Sequence, residues 1–299
     1  MGEEHVSLAH VARFFFTGIR KGGIQMRASA ISFDFFLAIF PAIIFFFTLI
    51  PYIPVEGIQA RIMHSIQEVL PPTTFEAVKS TIEDIISQQR GGLLSFGFLF
   101  ALIVSTNGVN SMIDGFNKSY HGIEVRTGFT KWVTALSLTL LVAVIIIFSI
   151  TLIIFTELLS AYLAQTDLIN SGTNIFMLQT ATWVILLATS LVTISSLYYY
   201  GPSKKNRRPF ISVGSVTATL LLALTSVVFN YFISNFSQYN KIYGSIGTLI
   251  VILVWINFNT LQLILGFELN ASIENALRSN DGTSRKAAED SESPIHRSV

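Results

Sequence analysis

Asn107, Asn110, Ser111 and Asp114 recur at i, i+3, i+4 and i+7, which sets two amides, a hydroxyl and a carboxylate on one helical face. Near the other end of the chain, Asn259, Gln262 and Gly266 share a face with Trp255, while Asn257 and Glu268 line the neighbouring stripe. Asp34 stands alone between Phe33 and Phe35. Rows of this kind support two chemistries: hydrogen bonds between helices, or a polar cavity that holds a headgroup or relays protons.

Covalent catalysis has little to draw on. The five histidines, His5, His10, His64, His121 and His296, are scattered without a metal-ligand spacing such as HExxH, and cysteine is absent. Neither a phosphate-cradling GxxxxGK[ST] loop nor a GxSxG nucleophile elbow occurs. The expectation is therefore a non-enzymatic protein without metal or cofactor.

The elements that carry the polar rows are six long apolar runs, roughly residues 28–50, 93–113, 132–156, 176–199, 210–233 and 245–267. Each approaches the ~20 residues that cross ~30 Å of hydrocarbon. Composition agrees: 51% of residues are hydrophobic and 12% charged, with a mean hydropathy of +0.59, whereas a soluble domain carries about 25% charged residues. The chain reads as an all-α, polytopic membrane protein with six transmembrane helices.

All of the 19 Lys and Arg except Arg61, Lys79, Arg90 and Lys241 fall before the first run, in the second and fourth connections, or after the last run. By the positive-inside rule those segments and both termini face the cytoplasm. A net charge of +1 so placed is a topology signal rather than a nucleic-acid stripe. No ordered signal peptide is present at the start, so the first run is expected to stay attached.

Residues 1–27 form an arm in which Val11, Phe14, Phe15 and Ile19 make an apolar stripe beside Arg13, Arg20 and Lys21, as in a helix lying on an anionic leaflet. The six-helix domain covers 28–275 and includes an outer hairpin at 52–92. There Ile58, Ile62, Ile66 and Val69 precede a Pro71-Pro72 break, and Phe75, Val78, Ile82 and Ile85 follow it. Thr73 and Glu76 have the spacing of a capping box. Residues 276–299 are polar and aperiodic and read as a disordered tail. Pro41 interrupts the first span, and Gly214 with Ala218 gives the fifth a small face for close helix contact.

Charges within spans need partners. Asp34, Asp114 and Glu268 all lie in the cytoplasmic half, within reach of Arg27, Lys118, Lys131 and Arg207, so ion pairing at the inner rim competes with a functional role. Glu157 lies near an outer end and can reach water.

The run Tyr243-Gly244-Ser245-Ile246-Gly247, then Trp255, then Gly266-Phe267-Glu268-Leu269-Asn270 resembles the signature of the YihY/virulence factor BrkB family, whose last span reads YGSLG, a Trp and GAELN. Ala28 to Pro41, Leu70-Pro71, Asn117 to Arg126 and Pro202 to Gly214 resemble further family segments, so the similarity covers about residues 10 to 275. Asp34, where the family has an aromatic, and Phe267, where it has a small residue, depart from the pattern. The resemblance implies a bacterial inner-membrane protein of six helices with cytoplasmic termini, and an association with envelope integrity or lipid export rather than the ribonuclease activity once attached to the family. The combined expectation is a protein that binds or translocates a lipid or amphipathic molecule through a cavity lined by Asn107, Asn110, Asp114, Asn259, Gln262 and Glu268. The competing reading is a membrane scaffold for the envelope, with an intramembrane hydrolase or nuclease a distant third.

Overall fold

A computed structural model describes residues 8–52, 57–69, 72–119, 126–165, 171–203, 209–234 and 237–292, and no strand occurs among them. Helix α1 (Leu8–Lys21) leads through Gly22 and Gly23 into α2 (Ile24–Leu49). Gly23 adopts φ +58°, a left-handed conformation that side chains disfavour, and this turn folds α1 back. After a short 3-10 turn come α3 (Ile58–Val69) and α4 (Pro72–Ser87), then α5 (Gly91–Asn117), α6 (Gly128–Gln165), α7 (Ser171–Tyr200), α8 (Val213–Ser234) and α9 (Ser237–Glu292).

Six segments are long and apolar enough to cross a membrane: Ile24–Tyr52, Gly91–Asn117, Gly128–Leu159, Phe176–Tyr200, Val213–Phe232 and Gly247–Leu277. They coincide with the six runs expected from sequence. Around the bundle α2 lies beside α5, α5 beside α6, α6 beside α7, α7 beside α8, α8 beside α9, and α9 returns to α2. Chain order is thus also spatial order, and α1 lies on α9.

Packing is uneven along the bundle axis. The larger core cluster comprises Ile24, Ala28 and Ile31 of α2, Val109, Met112, Ile113 and Phe116 of α5, Ala135 and Leu138 of α6, Ile194, Leu197 and Tyr198 of α7, Ala218 of α8, and Ile264, Phe267 and Ala271 of α9. Every one lies in the half of its span nearest α1 and the 117–131 and 201–212 connections, here called the basic end. At the opposite, hairpin end the described core is small: Ile50, Ile82 and Ile86, joined by Phe47, Ile58, Ile62, Met63, Ile66 and Val78. The hairpin therefore closes on the end of α2 through Ile58, Ile62 and Ile66 of α3 and Val78 and Ile82 of α4, with Ile86 buried rather than Ile85, while Val69 lies outside the described side chains. The Thr73 capping box and the Leu70-Pro71 match lie outside the described side chains.

Small residues set the closest helix approach. A Cβ on Gly214 would stand 2.0 Å from the Gly266 carbonyl oxygen, and Ala218 is fully buried beside them. Asn270 fastens the same crossing, its Oδ1 accepting from the Gly214 amide at 2.8 Å and its Nδ2 donating to Ser212 Oγ at 2.7 Å. Helix α2 continues through Pro41, which is buried. Helix α9 runs on to Glu292, past the last span, so the described part of the polar segment after residue 276 is helical. Its polar sequence extends the helix that the last span nucleates, because adding a residue to an existing helix avoids the nucleation penalty.

Candidate functional site

The charges of the basic end are gathered around Glu268. Its carboxylate Oε2 accepts a 2.6 Å bond from Ser119 Oγ and lies 3.4 Å from Arg27 Nη2. Arg27 Nη1 donates to the Gly115 carbonyl at 2.7 Å and to Ser119 Oγ at 2.9 Å. The side chains of Arg27 and Glu268 are 4% and 8% exposed, so this is a buried ion pair. Burial comes partly from α1: Gly18 lies so close that a Cβ there would fall 2.1 Å from Glu268 Oε1, and a Cβ on Gly22 would fall 2.9 Å from Arg27 Nη2. The Gly-x-x-x-Gly spacing from Gly18 of α1 to Gly22 in the turn after it is what lets the backbone cover the pair.

An aromatic layer lies next to the pair along the chain. Phe116 and Phe267 stack with centroids 4.4 Å apart, and Tyr198 meets both edge-on at 5.4 and 5.3 Å. The Tyr198 hydroxyl donates to the Leu263 carbonyl at 2.6 Å. Phe267, which departs from the family pattern, is thus a central packing residue, 1% exposed.

The remaining polar residues are shared among several helix contacts. Asp114 accepts two 2.9 Å bonds from Lys131 Nζ of α6. Ser111 donates to Asp34, tying α5 to α2. Asn257 donates to Ser29 and Ser32 at 3.4 Å and accepts from Gln25 Nε2 at 3.3 Å, joining α9 to α2. Gln262 donates to Thr225 of α8. Asn259 donates to the Trp255 carbonyl within its own helix at 2.7 Å, and Trp255 packs on Phe229 at 4.5 Å. Asn107 is exposed and Asn110 half-buried.

Among the described residues these positions are parted between the α2–α5, α5–α6, α2–α9 and α8–α9 contacts. Helix α2 lies between α5 and α9, which come together only near Phe116, Ser119 and their partners on α9. The sequence placed the two polar rows correctly on their helices, but it could not show which neighbour each row meets. Ser119 gave no signal, since it follows α5 in a connection. Arg27 did, as a basic residue bordering the first run. Of the signature residues, Gly247 is buried and Gly266 and Asn270 hold the α8 crossing; Tyr243 and Gly244 lie outside the described side chains.

A cavity does exist elsewhere. About 380 Å³ opens between α6, α7, α8 and α9. Ile194, Leu197 and Leu263 border it on the side of the basic-end core, and Ile146, Ile153 and Leu186 are among its apolar walls. Four hydroxyls reach it, those of Ser149, Thr189, Ser190 and Thr193, with Ser149 donating to Thr189 at 3.2 Å. No titratable side chain lines it. Arranged this way, it suits a largely apolar ligand rather than bond-breaking chemistry.

Six apolar spans, a hairpin at one end and a buried ion pair at the other define an all-helical polytopic membrane protein. The chain matches the Virulence factor BrkB family over residues 15–291 and belongs to that family. It is 30% identical over 251 residues to the ribonuclease-like protein YfkH of Bacillus subtilis, covering 83% of this chain and 89% of that one. It is also similar to UPF0761 membrane proteins, 22% identical over 263 residues to that of Histophilus somni (strain 2336), at 87% and 88% coverage, and 24% identical over 263 residues to that of Coxiella burnetii, at 87% and 90%. No solved structure matches.

Proposed function

We propose that this is a multi-pass protein of the bacterial cytoplasmic membrane, with both termini inside, that binds and moves a lipid or amphipathic envelope component without covalent chemistry. The observation that carries the reading is the cavity between α6 and α9. At about 380 Å³ it falls within the ~300–1,000 Å³ of ordinary ligand pockets. Isoleucine and leucine dominate its lining, and the hydroxyls offer a few oriented polar contacts. The orientation rests on Arg13, Arg20, Lys118, Arg126 and Lys131 at one end of the bundle, which the positive-inside rule places in the cytoplasm.

The test is lipid identification by mass spectrometry on protein purified in mild detergent, comparing wild type with Ser190→Trp, which fills the cavity. One lipid class enriched on wild type and lost from the variant is the expected result. The same bulk lipid on both refutes it.

A second reading, a scaffold for envelope assembly, draws support from the polar rows. Asn257, Gln262 and Asn270 each bond a neighbouring helix, as residues that only hold a bundle together do. Under that reading Asn257→Leu loosens the bundle and no lipid is lost with it.

A further inference from the structure

Beyond the central cavity, a second opening of about 440 Å³ lies at the basic end, along the outer side of α6 against the end of α7. We propose that this groove is a binding site for an anionic phospholipid of the leaflet at the basic end.

Its chemistry changes along its length. Arg126 stands at the mouth, immediately before α6 begins. Its Nη1 donates to the Tyr200 and Gly201 carbonyls at 3.2 Å and to Thr134 Oγ1 at 3.4 Å, closing the last turn of α7. None of these partners carries charge, and no carboxylate among the described residues pairs with the guanidinium. The Nη2 and Nε donors have no protein acceptor among those residues, so a positive group with spare donors remains at the rim. Thr130, Thr134 and Ser137 follow at one-turn intervals along the groove. The N-terminus of the 38-residue α6 adds its partial positive charge at the same place. Deeper in, Val133, Leu138 and Leu141 supply apolar wall.

The length of the groove fits one lipid leaflet. From Thr130 to Leu141 the helix rises roughly 16 Å at ~1.5 Å per residue, about half of the ~30 Å hydrocarbon core. A phosphate at Arg126 therefore leaves room for an acyl chain to follow α6 toward the midplane. Free phosphate would use only the rim; the apolar wall is what selects a lipid.

The groove and the central cavity lie at different levels of α6: the groove lining ends at Leu141 and the cavity lining begins at Ile145. The two proposals can consequently fail separately. The experiment is native mass spectrometry of delipidated full-length protein titrated with phosphatidylglycerol or with phosphatidylcholine. Wild type is expected to bind one phosphatidylglycerol at least tenfold more tightly than phosphatidylcholine, as a charged hydrogen bond of roughly 1.5–3 kcal/mol implies. Arg126→Gln should abolish the preference by removing the charge. Ser137→Trp should abolish it by filling the groove while leaving every Arg126 hydrogen bond in place, and Ser190→Trp in the central cavity should preserve it. Equal binding of the two lipids by wild type, or a preference that survives in either groove variant, overturns the site. Glycerol 3-phosphate, the headgroup chemistry without chains, should not bind at the same concentration; binding as tight as the lipid's overturns the assignment to a phospholipid.

Discussion

Removing Glu268 tests whether the buried ion pair holds the basic end together. The carboxylate has two described partners, Ser119 Oγ at 2.6 Å and Arg27 Nη2 at 3.4 Å. In Glu268→Ala the guanidinium, 4% exposed, keeps only the Gly115 carbonyl and Ser119 as acceptors and becomes an uncompensated buried charge. Breaking such a pair costs about 3–5 kcal/mol. The 3.4 Å separation exceeds the ~2.8 Å of a good charge-assisted bond, which favours the low end, about 3 kcal/mol. At roughly 2–4 °C per kcal/mol this is a fall in Tm of about 6–12 °C. Tryptophan fluorescence during heating in detergent reads it. Arg27→Met should fall comparably, since it strands the carboxylate. The double variant Arg27→Met/Glu268→Leu removes both charges and should recover most of the loss, because an apolar replacement of similar size needs no desolvation of ions. Additive losses in the double variant, or a single-variant loss below about 1 kcal/mol, would show that the pair is not electrostatically coupled, and the account of the basic end would be wrong.

Three further outcomes follow from the same packing. Gly18→Val places a side chain where Glu268 Oε1 sits 2.1 Å away, so α1 should lift off; since the protein lacks cysteine, a Ser119→Cys probe should react with a maleimide in the Gly18→Val background and not in the otherwise wild-type one. Gly214→Val drives a side chain into the Gly266 carbonyl 2.0 Å away and should lower stability by about 1–3 kcal/mol, whereas Val213→Ala, at an exposed neighbouring position, should change it by less than about 0.5 kcal/mol in the same melting assay. Single cysteines at Lys118 and Glu83, both exposed, should label from opposite sides of the membrane with an impermeant reagent, Glu83 in intact cells and Lys118 only in inverted vesicles; the reverse pattern would turn the orientation over.

The six spans were legible because the bilayer imposes one length and one polarity on each, and 20-residue apolar runs satisfy both. The hairpin was legible for the other reason, a 3.6-residue stripe on either side of Pro71-Pro72. Which helix each polar residue meets was not. The spacing of Asn107, Asn110, Ser111 and Asp114 fixes a face of α5, but only tertiary packing decides that Ser111 meets Asp34 on α2 and Asp114 meets Lys131 on α6. Ion pairing at the basic end was foreseeable from charge placement, and two pairs occur there among the described residues, Arg27 with Glu268 and Lys131 with Asp114. The central cavity left no mark in the sequence, because Ser149, Thr189, Ser190 and Thr193 look like ordinary hydroxyls of apolar helices, and Thr189 bonds the Ile185 carbonyl of its own turn as such hydroxyls do.

The uneven core gives the cavity a physical origin. At the basic end Gly18, Gly214 and Gly266 let backbones approach within the radius of a methyl group, and Phe116, Tyr198 and Phe267 fill what remains. Farther along, α6 presents Ile145, Ile146, Ser149 and Ile153, and α7 presents Leu186, Thr189 and Thr193, a row of branched and hydroxyl side chains without glycine. Small residues thus bring α8 and α9 together at the basic end, whereas the branched residues of α6 and α7 border a gap farther along, so the packing opens from the basic end toward the cavity. In lipid that divergence carries little penalty, because acyl chains solvate isoleucine and leucine as well as a neighbouring helix does. In water the same opening would collapse. A bundle close-packed at the basic end and open farther along suits surroundings in which apolar molecules can fill its gaps, and the lipid binding proposed above requires such an opening.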